Sequence, residues 1–188
     1  MQLFGSHTSP FVRHCRIALA QHNCDYEFVT VDYQRSAVDS PMQKMPYLKQ
    51  DTLLLTDSST IIKFIREPES AFLADLHQFE YYTQTNTLLD AAINLFLLEK
   101  HKVLPANCPY LQRQLQRVQS GLTALNQSQT HGFDPFRDDH LRLLCFLEWA
   151  QFRKRVDLNP FATLLAFIDQ AQQHALITST HPSLPLSE

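Results

Sequence analysis

Glycine is scarce in this chain. There are three in 188 residues, so Pro, Asn and Asp must carry most of the turns. Cysteine is sparse as well: Cys15, Cys24, Cys108 and Cys145 are scattered without a C-x-x-C pair, and buried free thiols are expected. The nine histidines form neither H-E-x-x-H nor a Cys/His spacing typical of zinc, so no metal is expected. Basic residues are not in excess. Lys and Arg number 16 against 19 Asp and Glu, a formal net charge of -3, which argues against a sequence-independent nucleic-acid binder. No apolar run approaches the roughly 18 residues of a membrane span. The opening Met1 to His7 has neither a basic n-region nor a long apolar stretch. The expectation is a soluble cytoplasmic protein with neither membrane nor nucleic acid as partner. Hydrophobic residues at 44% and charged residues at 19% are ordinary globular usage, and the length allows one domain or two small ones with a substantial core.

What is present begins with a short apolar run, Met1 to Gly5, followed by Thr8-Ser9-Pro10-Phe11-Val12-Arg13. Ser9 sits where a helix N-cap belongs and Pro10 at the first helical position, where its missing N–H is not needed. Phe11, Cys15, Ala18 and Leu19 fall on one helical stripe. The loop thus delivers a hydroxyl to the positive end of a helix, where anions, thiolates among them, are stabilised. A Ser-Pro start also serves as a plain cap, and the rest of the chain must separate the two.

Asp25 to Asp32 reads as a strand with apolar side chains on both faces, suited to the interior of a sheet. Residues 34–44 read as loop with at most a short helix. Lys44 to Lys49 and Leu53 to Thr56 read as a hairpin, and Asp57-Ser58 can cap a helix bearing Ile61, Ile62 and Ile65. This β-α-β-(α)-β-β-α order is a thioredoxin-like plan. Arg66 to Ser70 breaks the pattern, setting domains at 1–67 and 72–188. Beyond the break the chain reads as helical: Leu73 to Lys102 in two pieces, Tyr110 to Leu125, a strongly apolar Leu141 to Phe152 through the centre, and Pro160 to His174, then an extended tail.

A thioredoxin-like half followed by an all-helical half resembles the cytosolic glutathione transferases, and the motifs agree. Ser9-Pro10-Phe11-Val12-Arg13 resembles the S-P-[FY]-x-[RK] opening of bacterial members. Ser40 to Leu48 resembles their N-P-x-G-K-V-P-x-L loop, and Leu55-Thr56-Asp57-Ser58 with Ile61-Ile62 their L-[TF]-[ED]-S-x-x-I segment. Leu88-Leu89-Asp90-Ala91-Ala92 is similar to L-x-D-A-A, and Cys145 to Arg153 to C-A-L-x-Y-L-D-F-R. Asn159-Pro160-Phe161 and Thr180-His181-Pro182 are similar to the family's last helix and T-x-P ending. The nearest subgroup in pattern is the bacterial serine type.

The resemblance implies glutathione as co-substrate and a small hydrophobic electrophile as its acceptor, joined in a detoxifying conjugation. It implies a mostly apolar electrophile pocket supplied by the helical domain, and a homodimer. Ser9 would be catalytic, its hydroxyl donating to the glutathione sulfur. Phe11 would line the glutathione site. Met45, before a cis Pro46, would pair its main chain with the cysteinyl amide. Asp57 and Ser58 would hold the γ-glutamyl end, and Lys44 would face the glycyl carboxylate.

The chain departs from the pattern in places. The loop's Asn and Gly are Ser40 and Gln43, and the family's S/T-x-x-D helix cap aligns with Arg137-Asp138-Asp139-His140, so Asp138 or Asp139 is expected to cap instead. A thiol–disulfide mechanism needs Cys at Ser9 and often at Val12, and neither is present. The alternative is a transferase-like protein that binds glutathione or a protein partner without catalysis. A third reading, a glutathione-dependent reductase using Cys15, conflicts with the expected burial of that thiol.

Overall fold

A computed structural model describes residues 1–67, 71–128 and 132–185. They divide into two compact units, Met1–Ala74 with the segment from Gln172 onward, and Asp75–Ala171.

The first unit runs β1 Gln2–Gly5, α1 Pro10–Gln21, β2 Glu27–Thr30, α2 Tyr33–Asp39, β3 Tyr47–Gln50, β4 Leu53–Leu55 and α3 Ser58–Arg66. The strands form one mixed sheet in the order β2-β1-β3-β4, the thioredoxin-like plan. β1 lies parallel to β2 and antiparallel to β3, with Phe4 opposite both Val29 and Tyr47. Leu3 and Leu48 point to one face, where α1 brings Val12, Cys15, Ala18 and Leu19 and α3 brings Ile61, Ile62 and Ile65. Each Val, Leu or Ile among them contributes about 1.5–3 kcal/mol when fully buried. On the other face Phe4 and Tyr47 stack with ring centroids 4.6 Å apart. The Tyr47 hydroxyl donates to Asp39 Oδ2 at 3.1 Å, fastening the end of α2 to the sheet. Burial and the Asp39 carboxylate push the Tyr47 phenol up to about 12.

Several sequence expectations are corrected here. β2 is an edge strand, not an interior one: β1 takes the position between β2 and β3, and only Phe28 and Val29 of β2 are even half-buried. The packed stripe of α1 starts at Val12 rather than Phe11, which is half-buried outside the aliphatic core. The tail contains a further helix, α8 Ala175–Thr178, and packs with the first unit although the sequence groups residues 72–188 in one helical domain. The reason is Arg13, 1% exposed. Its Nη2 donates to Ile177 O at 3.0 Å and its Nε to Thr180 Oγ1 at 3.2 Å. A guanidinium buried in α1 needs such acceptors, and the tail supplies them. The expected break at Arg66 to Ser70 falls partly on residues 68–70, outside the described residues.

The second unit is helical: α4 Leu76–Lys100, a short 3₁₀ turn Pro105–Asn107, α5 Pro109–Ser128, α6 Asp138–Phe152 and α7 Ala162–Ala171. The 25-residue α4 is continuous where two pieces were expected. No Pro or Gly interrupts it, and Tyr82, Thr85, Leu89 and Ala92 follow one buried stripe. α6 is buried from Asp139 to Ala150. Its start uses neither aspartate in the expected way. The N-cap is Arg137, whose guanidinium grips Asp139 with bonds of 2.7 and 2.9 Å. His140 Nδ1 instead accepts the Asp134 N–H at 3.0 Å.

Candidate functional site in the thioredoxin-like unit

The close approach of β1 and α1 sets the first part of the site. A Cβ at Gly5 would stand 2.4 Å from Val12 Cγ2, so only glycine lets the strand end there. The chain turns through Ser6 to Thr8, and the Ser9 N–H donates to Ser6 O at 3.0 Å. Ser9 has extended backbone (φ -76°, ψ 127°) and Pro10 opens the helix. The Ser9 Oγ accepts the Val12 N–H at a long 3.4 Å. A hydroxyl has two lone pairs and one proton. Capping uses a lone pair and leaves the O–H free to donate.

The loop before β3 forms the second part. Gln43 N–H donates to Ser40 O at 2.8 Å, and Gln43 has φ 51°, the left-handed region that glycine favours. The turn therefore keeps a glycine-like conformation without its glycine. The Met45–Pro46 peptide is cis, as the resemblance implies. Met45 Sδ accepts the Ser6 N–H at 3.2 Å, joining this loop to the one that presents Ser9.

The third part is the start of α3. Asp57 caps it, Oδ1 accepting the Ser59 N–H at 2.8 Å, while Oδ2 is 2.9 Å from Lys44 Nζ. Burial pushes the Asp57 carboxyl upward, but the hydrogen bonds from Lys44 and Ser59 and the charge of Lys44 outweigh it and hold the group below the usual carboxylate range. Ser58 is buried at the first helical position, and its carbonyl accepts from Cys15 Sγ at 3.8 Å. Cys15 is 0% exposed, so its thiol is a packing group.

The fold thus brings Met45 against the Ser6 to Ser9 loop and Lys44 against Asp57. Phe11 lies in the first turn of α1. Ser6 and Arg13 carry contacts that sequence reasoning gave no role, because their partners are 39 and 164 residues away. Among the described residues no group of three or more His, Cys, Asp and Glu is arranged to hold a metal, and no helix is long and apolar enough to cross a membrane.

Residues 3–71 match the family model for the glutathione S-transferase N-terminal domain. No curated protein matches the sequence. Among solved structures, a glutathione S-transferase from Methylobacillus flagellatus with glutathione bound superposes with a TM-score of 0.80 at 21% identity, over 96% of this chain and 98% of that one. One from Methylobacterium radiotolerans, in complex with glutathione sulfonate, gives 0.82 at 19% identity over 100% and 97%. Gtt2 from Saccharomyces cerevisiae gives 0.77 at 17% identity over 96% and 100%. This chain therefore has the fold of the glutathione S-transferases, a thioredoxin-like unit with a mixed four-stranded sheet followed by a helical one.

Proposed function

We propose that this protein is a glutathione transferase of the serine type. It uses the Ser9 hydroxyl to stabilise the thiolate of bound glutathione for attack on small hydrophobic electrophiles. The observation that carries the reading is the Ser9 hydroxyl itself. It caps α1 through a lone pair, keeps its proton, and stands on a loop bonded to the cis Met45–Pro46 turn. A free thiol titrates at about 8.5, so only a few per cent is ionised at neutral pH. One O–H donor and the positive end of a 12-residue helix act on the same sulfur. A depression of about two units makes most of the thiol nucleophilic and corresponds to roughly 2.7 kcal/mol. The proton leaves to solvent. The sulfur then forms the new C–S bond while the electrophile expels its leaving group or takes up a proton.

Around that sulfur the Met45 main chain pairs with the cysteinyl amide, Pro46 shapes the turn, and Phe11 flanks the site. Ser58, at the start of α3, receives the γ-glutamyl carboxylate, which the helix N-terminus also attracts. Asp57 faces the γ-glutamyl ammonium. The 2.9 Å pair with Asp57 favours placing Lys44 at this end of the tripeptide rather than at the glycyl carboxylate. The same reading makes the protein a cytoplasmic homodimer acting in detoxification. Exposed Leu53 and Leu54 on β4, and Leu76 and Phe79 on α4, are apolar surface of the kind a second copy covers.

Calorimetric titration with glutathione tests the reading. Saturable binding is expected, with turnover of a chloronitroarene, and absence of binding overturns it. Binding without turnover favours the second reading, a non-catalytic glutathione binder. The observation in favour of that reading is the Lys44–Asp57 pair, which engages both charged side chains with each other.

A further inference from the structure

The peptide group ends of Ser6 are both occupied by the glutathione-site residues. Its N–H donates to Met45 Sδ at 3.2 Å. Its carbonyl accepts the Ser9 N–H at 3.0 Å. Its hydroxyl is 3.1 Å from Thr8 Oγ1 within the same loop. Met45 is half-buried and packs against both hydrophobic clusters of the first unit, that of Leu3 and Leu48 and that of Phe4 and Tyr47. Its thioether is therefore held in place by neighbours on either side of the sheet.

We infer that Met45 is a positioning residue whose thioether, through Ser6, sets where the Ser9 hydroxyl stands relative to the main chain beside Pro46. The inference deepens the glutathione reading and rests on it. On that reading the Met45 main chain holds the amide of the cysteinyl residue and Ser9 holds the sulfur of the same residue. These two grips are a few bonds apart in the ligand, so the relative placement of the two loops decides whether the hydroxyl meets the sulfur. Hydrogen bonds weaken steeply once the angle or distance is lost. The γ-glutamyl end, held at the start of α3, does not pass through this link.

The link belongs to this chain rather than to the general loop pattern. Where Met45 stands the resembling loop reads V-P, and a valine accepts no hydrogen bond. A thioether is a weak acceptor, yet a leucine of nearly the same bulk accepts nothing at all. Loss of the acceptor frees the Ser6 amide and loosens the loop while the volume stays filled. Thiolate formation is then impaired more than ligand binding.

The test compares the full-length wild type with Met45→Leu and Met45→Gln, whose carbonyl restores an acceptor. The thiolate absorbance of bound glutathione is titrated with pH and the affinity measured by calorimetry. In Met45→Leu the bound thiol is expected to titrate about 0.5 to 1 unit higher, a roughly 1.5- to threefold smaller thiolate fraction at pH 7. Glutathione affinity should stay within about threefold, and Met45→Gln should recover the wild-type titration. An unchanged titration in a Met45→Leu protein that still binds glutathione overturns the inference and leaves the glutathione reading standing. A wild type that binds no glutathione overturns both. Amide exchange on the unaltered protein gives an independent arm. The Ser6 N–H is expected to be protected, and exchange at the free-peptide rate overturns the link.

Discussion

Lys44 Nζ lies 2.9 Å from Asp57 Oδ2, so the cation of the loop before β3 is paired with the cap of α3. Both side chains are about half exposed, 51% and 46%. An ion pair in that setting contributes about 0–1 kcal/mol to folding. On the proposed reading its effect on glutathione is larger, because the charged ligand competes for the same two groups. Lys44→Met is therefore expected to change the melting temperature by no more than a few degrees while glutathione affinity falls about tenfold. Calorimetry beside thermal unfolding separates the two effects.

Asp57 has a second duty as the α3 cap. Asp57→Ala removes both charge and cap and should cost about 0.5–2 kcal/mol in denaturant unfolding. Asp57→Asn keeps an acceptor for Ser59 and should cost less than the alanine variant. The carboxyl is held below its ordinary 3.8. Its stabilising contribution is complete above that pH and is lost as pH falls through the lower folded-state value.

Ser9→Ala separates chemistry from folding. The cap bond to Val12 is long, 3.4 Å, so the stability loss belongs at the low end of the cap range, about 0.5 kcal/mol. On the proposed reading the thiolate loses its donor. With binding nearly unchanged, turnover at neutral pH is expected to drop between about three- and 25-fold, the loss of thiolate at pH 7 for a one- to two-unit rise in a thiol pKa that starts at about 6.5. Steady-state rates with a chloronitroarene at saturating glutathione measure it, and equal activity moves the catalytic role away from Ser9.

His140 makes stability depend on pH. Burial, in a pocket whose rings include Tyr81, Phe133 and Phe167, lowers it from 6.5; Asp139 pulls it up and Arg137 pushes it down. Its Nδ1 accepts the Asp134 amide, a bond open only to the neutral ring. The unfolded chain therefore binds this proton more readily than the folded one. The contribution is complete above pH 6.5. It declines at up to about 1.4 kcal/mol per pH unit as pH falls from there to the folded-state value. Urea unfolding of wild type and His140→Gln at a series of pH values should show a shallower slope for the variant in that window.

Two backbone positions oppose one another. Gly5→Ala forces a methyl against the β-branched Val12 and should destabilise by about 1–3 kcal/mol. Gln43→Gly relieves a left-handed residue, worth about 1–2 kcal/mol, and adds freedom to the unfolded chain, which returns about 0.4–1 kcal/mol. A net gain of up to about 1.5 kcal/mol is expected by chemical denaturation.

Features settled within a few residues were legible in the sequence. The Ser9 cap with Pro10 behind it, the Asp57 cap, the apolar triplet of Ile61, Ile62 and Ile65, and the buried run of α6 all depend on neighbours within four positions along the chain. So does the short Gln50-Asp51-Thr52 link between the two runs of the β3–β4 hairpin. The edge position of β2 was not legible. Its apolar residues suit either place, and only the insertion of β3 beside β1 decides between them. The substitution of Gln43 for a glycine likewise left open whether the turn survives; its backbone conformation answers that. Lys44 with Asp57, Met45 with Ser6, and Arg13 with Ile177 and Thr180 join residues 13, 39 and more than 160 positions apart. Local chemistry named the groups able to bond, the hydroxyls, charges and caps. Which of them meet was decided by tertiary structure, because a buried guanidinium or amide takes whichever acceptor the packed core brings within about 3 Å, without regard to its place in the chain.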